Sequence, residues 1–124
     1  MKFHHVALIV TDRTRALRFY REALGFTLAH EAWRAERNSW KLDLEREGMR
    51  LELFTFEGSP ARASYPENLG LRHLCFEVKE IEEFHRELRE KGFEAEEIRV
   101  DPYTRKKFFF FSDPDGQPLE IYQA

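Results

Sequence analysis

One spacing, which occurs twice, limits what this chain can fold into more than any other feature. His5 and Glu52 lie 47 residues apart, and so do His73 and Glu120. The two pairs are offset by 68 positions in a chain of 124 residues. Gly48 and Gly116 each stand four residues before the Glu. The near-identical segments Phe19-Tyr20-Arg21-Glu22 and Phe84-His85-Arg86-Glu87 are followed by Gly25-Phe26 and Gly92-Phe93. A fixed internal period marks one supersecondary unit used twice. It also relates two His and two Glu by pseudo-symmetry, and two imidazoles with two carboxylates form a ligand set for a divalent metal ion.

Periodicity assigns the elements. His4 to Val10 reads as a strand, Thr11-Asp12 as a helix cap, and Leu17, Tyr20 and Leu24 recur at helical spacing until Gly25 ends the run. Strand patterns follow at Phe26 to Trp33, Trp40 to Glu45 and Met49 to Phe56, with a hairpin turn over Arg46-Glu47-Gly48. Residues 57–70 hold Gly58, Pro60, Pro66 and Gly70 and read as a linker. The order then repeats in residues 71–124: a strand over Leu71 to Val78, a helical stripe of Ile81, Phe84 and Leu88, and strands over Phe93 to Val100, Lys106 to Ser112 and Pro118 to Tyr122. The expectation is an α+β domain over residues 1–124. Two tandem βαβββ modules, 1–56 and 71–124, form a curved sheet with helices on its outer face.

Strand alternation tests whether the four ligand candidates share a face. Val6, Leu8 and Val10 form one apolar row, which puts His5 on the other side. Glu52 lies between Leu51 and Leu53, and Glu120 between Leu119 and Ile121. His73 opposes Leu74, Phe76 and Val78. All four therefore point away from the apolar rows that meet the helices. Taken singly, each is more ordinarily a solvated strand Glu or a structural His; the matched period and face favour ligands. By the same alternation His4 falls with Val6 and Leu8 against the helix, Arg72 falls on the apolar side, and His30 and His85, without repeat partners, read as ordinary surface or strand residues.

The bulk numbers exclude several classes. A net charge of −3 gives no general attraction to nucleic acid or anionic membrane. The lone Cys75 fits a reducing compartment, and the apolar run Val6 to Val10 is too short for a signal-peptide core or a membrane span. The expected location is cytoplasmic.

These motifs resemble those of the vicinal oxygen chelate superfamily, which includes glyoxalase I, extradiol dioxygenases, fosfomycin-resistance proteins and bleomycin-binding proteins. The markers are His5-Val-Ala-Leu-Ile-Val10 with Asp12, Phe19-Tyr20 before Leu24-Gly25-Phe26, Leu51-Glu52-Leu53, His73-Leu-Cys-Phe76, and Asp113-Pro-Asp-Gly116 before Leu119-Glu120. Arg37-Asn-Ser-Trp-Lys41 and Arg99-Val-Asp-Pro-Tyr-Thr104 are similar to a bacterial, YaeR-like subgroup. The resemblance implies a glyoxalase-type fold and assigns His5, Glu52, His73 and Glu120 as ligands of one divalent ion, with Ni, Zn, Co, Mn and Fe all compatible. It further implies a homodimer with each site shared between chains. A filled fourth position resembles glyoxalase I, but Ile9 and Phe56 stand where that enzyme holds glutathione through an Arg and an Asn.

The expected chemistry is that of a lyase or isomerase on a small α-hydroxycarbonyl or related vicinal-oxygen substrate. Glu120 acts as proton shuttle and Glu52 is its partner. Arg34, Arg37, Lys41, Arg99 and Lys106, with Lys107, are candidate grips for a substrate carboxylate or phosphate, against the alternative of solvated strand-edge charges. Two other functions compete: an Fe(II) dioxygenase-like enzyme, disfavoured by the fourth ligand, and a non-catalytic small-ligand-binding or resistance protein, disfavoured by the complete ligand set.

Overall fold

Each repeat folds into its own four-stranded mixed sheet with one helix, as the computed structural model of residues 1–124 shows. The two compact units are Met1–Ala61 and Arg62–Ala124. The first holds β1 (Val6–Val10), α1 (Arg13–Glu22), β2 (Thr27–Arg34), a single 3-10 turn (Ala35–Arg37), β3 (Ser39–Arg46) and β4 (Met49–Thr55). The second holds β5 (Leu74–Val78), α2 (Ile81–Glu90), β6 (Arg99–Val100), β7 (Lys107–Ser112) and β8 (Pro118–Gln123). The strand orders are β1-β4-β3-β2 and β5-β8-β7-β6, so both follow the same scheme. No helix is long and apolar enough to cross a membrane.

Local chemistry sets the boundaries. Asp12 caps α1 by accepting the Arg15 backbone N–H at 2.7 Å. The helix closes where Gly25 takes a φ of +69°, with Gly25 N–H on the Arg21 carbonyl at 2.9 Å and Phe26 N–H on the Tyr20 carbonyl at 3.0 Å. The left-handed φ favours glycine here, and a Cβ would in addition push the tip of Arg46 aside. The β3–β4 turn is Glu47-Gly48, with φ of +47° and +80°, the two-residue form that suits the strand twist. In the second unit Asp113 Oδ1 accepts the N–H groups of Asp115 and Gln117, each at 2.9 Å, which ties the turn before β8.

In each unit the helix covers one sheet face. Leu42, Leu44, Leu51 and Leu53 are buried in the first, as are Ala16, Leu17, Phe19 and Tyr20 of α1. Phe109, Phe111, Leu119 and Ile121 are buried in the second with Ile81 and Leu88 of α2. Each fully buried side chain of this size contributes about 1.5–3 kcal/mol. The opposite, far face, turned away from the helix, carries Glu52 and Lys41 in the first unit and Glu120 with Phe108 and Phe110 in the second.

Three expectations need correction. Phe93 to Val100 is a strand only at Arg99–Val100. Glu94, Glu96 and Glu97 crowd one sign of charge into that segment, which meets β7 through Glu96 N–H on the Phe110 carbonyl at 2.9 Å. His85 is not a surface or strand residue. It is buried on α2, its Nε2 donates to the Glu96 carbonyl at 2.7 Å, and its ring meets Phe109 edge-on at 4.7 Å. His4 does not lie against the helix: it precedes the first paired residue of β1 and is exposed.

Candidate metal centre

Register places the ligand candidates. β1 runs parallel to β4 with Ala7 opposite Glu52, and β5 runs parallel to β8 with Cys75 opposite Glu120. Each His stands two residues before that partner, on the same far face and immediately before its strand begins. The result is two matched pairs. His5 Nε2 lies 2.9 Å from Glu52 Oε2, and His73 Nε2 lies 3.0 Å from Glu120 Oε2. Both carboxylates are largely shielded, with 16% and 14% of the side chain exposed, while the imidazoles are more open.

The pairs fit a divalent ion. Two neighbouring ligands on an octahedral ion, each bonded at about 2.1 Å, stand about 3.0 Å apart; on a tetrahedral ion they stand about 3.4 Å apart. The observed separations are those of N–H···O hydrogen bonds, and a divalent ion bound by the same nitrogen and oxygen would take the place of the shared proton.

The surroundings of the two pairs differ. In the first unit β3 contributes Lys41 and Asp43, with Asp43 directly opposite Glu52. Lys41 Nζ reaches Asp43 Oδ1 at 2.7 Å and Glu52 Oε1 at 3.0 Å. The hydrogen bond to Asp43 raises the Lys41 pKa above the ordinary lysine value, against partial burial and with help from Glu52. His30 Nδ1 stands 3.7 Å from Asp43. A bulge between Leu28 and His30 delivers that ring to the far face, since Leu28 pairs with Leu44 and His30 with Asp43. A polar ladder of His30, Asp43, Lys41, Glu52 and His5 thus crosses all four strands.

The same register positions in the second unit are aromatic. Phe110 lies opposite Glu120 where Asp43 lies opposite Glu52, and Phe108 takes the place of Lys41. The His73 ring meets Phe110 edge-on at 5.1 Å. Cys75, the counterpart of Ala7, is exposed as a residue. Its thiol is nevertheless pushed up to about 12, first by partial burial and then by the negative charge of Glu120.

The two imidazoles also differ at Nδ1. His5 Nδ1 faces His4 Nδ1 at 2.7 Å, an arrangement satisfied when either ring donates. His73 Nδ1 instead accepts from Arg72 Nη1 at 3.0 Å, so the neutral His73 ring carries its proton on Nε2 and donates to Glu120.

The remaining predicted residues are scattered. Arg34 lies on the far face of the first unit, against Phe54 and Phe56 at 4.8 and 5.6 Å from the ring centres. Arg99 stacks on Phe108 at 4.8 Å and pairs with Glu96 at 2.9 Å. Arg37 is exposed on the 3-10 turn, Lys106 is exposed before β7, and Lys107 pairs with Glu82. Asp43 was not among the expected site residues, and Arg72, expected on the apolar side, instead reaches His73 Nδ1. Asp43 was detectable, because Lys41-Leu42-Asp43 puts both charges on the face of Glu52. Arg72 was not, because strand alternation fails just outside β5.

Residues 2–121 match the Glyoxalase/Bleomycin resistance protein/Dioxygenase superfamily. Protein YaeR of Escherichia coli K12 is 50% identical over 121 residues, covering 97% of this chain and 94% of that protein. The crystal structure of a glyoxalase family protein from Enterococcus faecalis is 48% identical, with a TM-score of 0.94 over 98% of this chain and 97% of that one. A variant of the fosfomycin resistance protein FosX from Listeria monocytogenes, complexed with Mn(II) and 1S,2S-dihydroxypropylphosphonic acid, shares the fold. Its identity is 14% and its TM-score 0.75, over 99% of this chain and 90% of that one. The chain belongs to the glyoxalase/bleomycin resistance protein/dioxygenase superfamily.

Proposed function

We propose that this chain is a divalent-metal-dependent enzyme of lyase or isomerase type, acting on a small α-hydroxycarbonyl or related vicinal-oxygen compound. The observation that carries this reading is the matched register and length of the two pairs, His5–Glu52 at 2.9 Å and His73–Glu120 at 3.0 Å. Each offers one imidazole nitrogen and one carboxylate oxygen side by side. A divalent ion held there supplies Lewis acidity toward a substrate carbonyl and leaves two octahedral positions for it. The FosX variant of the same fold is complexed with Mn(II).

The carboxylates then divide the work. Glu52 meets His5 Nε2 and the Lys41 cation, whereas Glu120 meets only the imidazole of His73 among basic side chains. Lys41 ties the second oxygen of Glu52, so Glu52 is the fixed ligand in this reading and Glu120, which no lysine or arginine holds, moves the proton. Because each unit offers one pair, two copies related by a twofold axis can complete two sites, and a C2 homodimer is the assembly we adopt.

Metal analysis of protein purified without chelator tests the reading. One ion per site is expected, with loss in both His5→Ala and His73→Ala. Glu120→Gln should stay folded, keep part of its metal and lose turnover. Metal retained at full stoichiometry by both His variants would overturn the assignment.

A further inference from the structure

The first unit holds one part-buried cation that nothing in the fold uses fully. Arg13, Arg18, Arg50, Arg72, Arg86, Arg89 and Arg99 each pair with a carboxylate. Lys41 is committed to Asp43 and Glu52. In the second unit Arg62 also has a buried Nε without a partner, but it spends two other N–H groups inside the fold, on Gln117 Oε1 at 3.1 Å and on the Arg72 carbonyl at 2.9 Å. Arg34 pairs with no carboxylate; its single hydrogen bond runs from Nη2 to Ser39 Oγ at 3.1 Å.

The rest of the Arg34 head group is walled by aromatic rings. Phe54 and Phe56 stack at 6.1 Å with an interplanar angle of 15°, and the guanidinium lies against both. Nε is shut off from solvent without a partner. A guanidinium has five N–H donors. One bonds Ser39 and one, on Nε, is buried, which leaves three on the two Nη atoms for a ligand. Two rings and one neutral hydroxyl leave the charge without a counter-charge, whereas an oxyanion supplies one through charge-assisted hydrogen bonds to the open Nη groups. The position in the second unit that resembles this one is already neutralised, because Arg99 stacks on Phe108 and Phe110 but pairs with Glu96 at 2.9 Å.

We infer that Arg34 is a substrate subsite for an oxyanion, a carboxylate or a phosphate-type group, carried by the same molecule whose vicinal oxygens meet the His5–Glu52 pair. Arg34 and Glu52 share the far face. Phe54, on which the guanidinium rests, is two residues beyond Glu52 on β4, roughly 7 Å along the strand. The substrate is therefore a bifunctional acid with its charge a short apolar linker away from the reacting oxygens, and the linker lies over Phe54. This rests on the metal-dependent reading only for the chelating end.

Hydroxamates separate the two ends, since the hydroxamate supplies vicinal oxygens and the tail is varied. Co(II)-loaded protein is titrated with acetohydroxamate, the monohydroxamate of glutaric acid and the methyl ester of the latter, with binding read from the Co(II) absorption bands and by calorimetry. The free acid should bind at least tenfold more tightly than its ester. Arg34→Met should erase that advantage without changing the affinity of the ester. Arg34→Lys, which keeps the charge and guards against a folding defect, should retain part of it. Equal binding of acid and ester to the wild type, or an undiminished advantage in Arg34→Met, overturns the subsite. Acetohydroxamate binding that is indifferent to Co(II) would instead sink the metal reading. In that event metal-free, 15N-labelled protein titrated with glutarate decides the subsite: a shift of the Arg34 Nε–H resonance supports it, and a static resonance overturns it.

Discussion

Lys41 Nζ lies 3.0 Å from Glu52 Oε1, on the opposite side of the carboxylate from His5, whose Nε2 is 2.9 Å from Oε2. One oxygen of Glu52 is thereby presented to the ligand position while the other is held. Lys41 also separates Glu52 from Asp43, which faces it directly across β3 and β4. Like charges in that relation repel.

Lys41→Met should therefore act in two ways. Metal affinity, measured by competition with a chromophoric chelator, should fall about 10- to 100-fold, as for loss of other groups that orient a ligand. The melting temperature of the metal-free protein should also fall, and Asp43→Asn in the same chain should recover much of it. The raised pKa of Lys41 fixes the pH window. Stability from a cation whose folded pKa is raised is complete below its unfolded value and is lost as pH rises through the folded one. The difference between wild type and Lys41→Met should thus be flat from pH 6 to 9 and shrink only in strongly alkaline solution.

Arg72 should oppose metal binding. Its Nη1 donates to His73 Nδ1, which holds the ring proton on Nε2, the nitrogen that faces Glu120. Binding through Nε2 moves that proton to Nδ1, where it meets another donor, so the arginine must swing away. Arg72→Met should bind metal several-fold more tightly, and 15N shifts of the metal-free wild type should report the Nε2–H tautomer at His73. An Nδ1–H tautomer there would refute the account.

Mixing tests the shared site. His5→Ala and His73→Ala are co-refolded after each is found inactive. If sites form between chains, heterodimers hold one intact site and one doubly damaged site, and part of the metal binding returns. A mixture as empty as its components would put both pairs of a site in one chain.

The glutathione hemithioacetal of methylglyoxal should be a poor substrate. Ile9 is 59% exposed on the far face, in register with Phe54, and an aliphatic side chain there cannot hold a carboxylate. A kcat/KM on the order of 10⁴ M⁻¹s⁻¹ or above would mean that other groups anchor the peptide.

Most of the architecture was legible because it rests on periodicity. Alternation around Val6, Leu8 and Val10, and around Leu51 and Leu53, identified the buried rows and therefore the face of His5 and Glu52. Three features escaped for definable reasons. The bulge between Leu28 and His30 breaks the period of two without a glycine to announce it. His85 looked polar, yet a carbonyl on the segment before β6 satisfies its ring and lets it be buried. Arg72 precedes the first residue of β5, so alternation had no authority over it. Pairing of each His with its Glu follows from register, which a spacing of 47 suggests but does not impose.

That register has a consequence for heredity. β1 with β4 and β5 with β8 are parallel pairs, so no hairpin turn fixes how each His meets its Glu. The apolar rows beneath fix it, since a slip of one residue would turn every leucine outward. Insertions and deletions in the turns and in the stretch around Ala61 and Arg62 leave those rows untouched. A lineage can thus rewrite its loops while passing the two His–Glu pairs on unchanged.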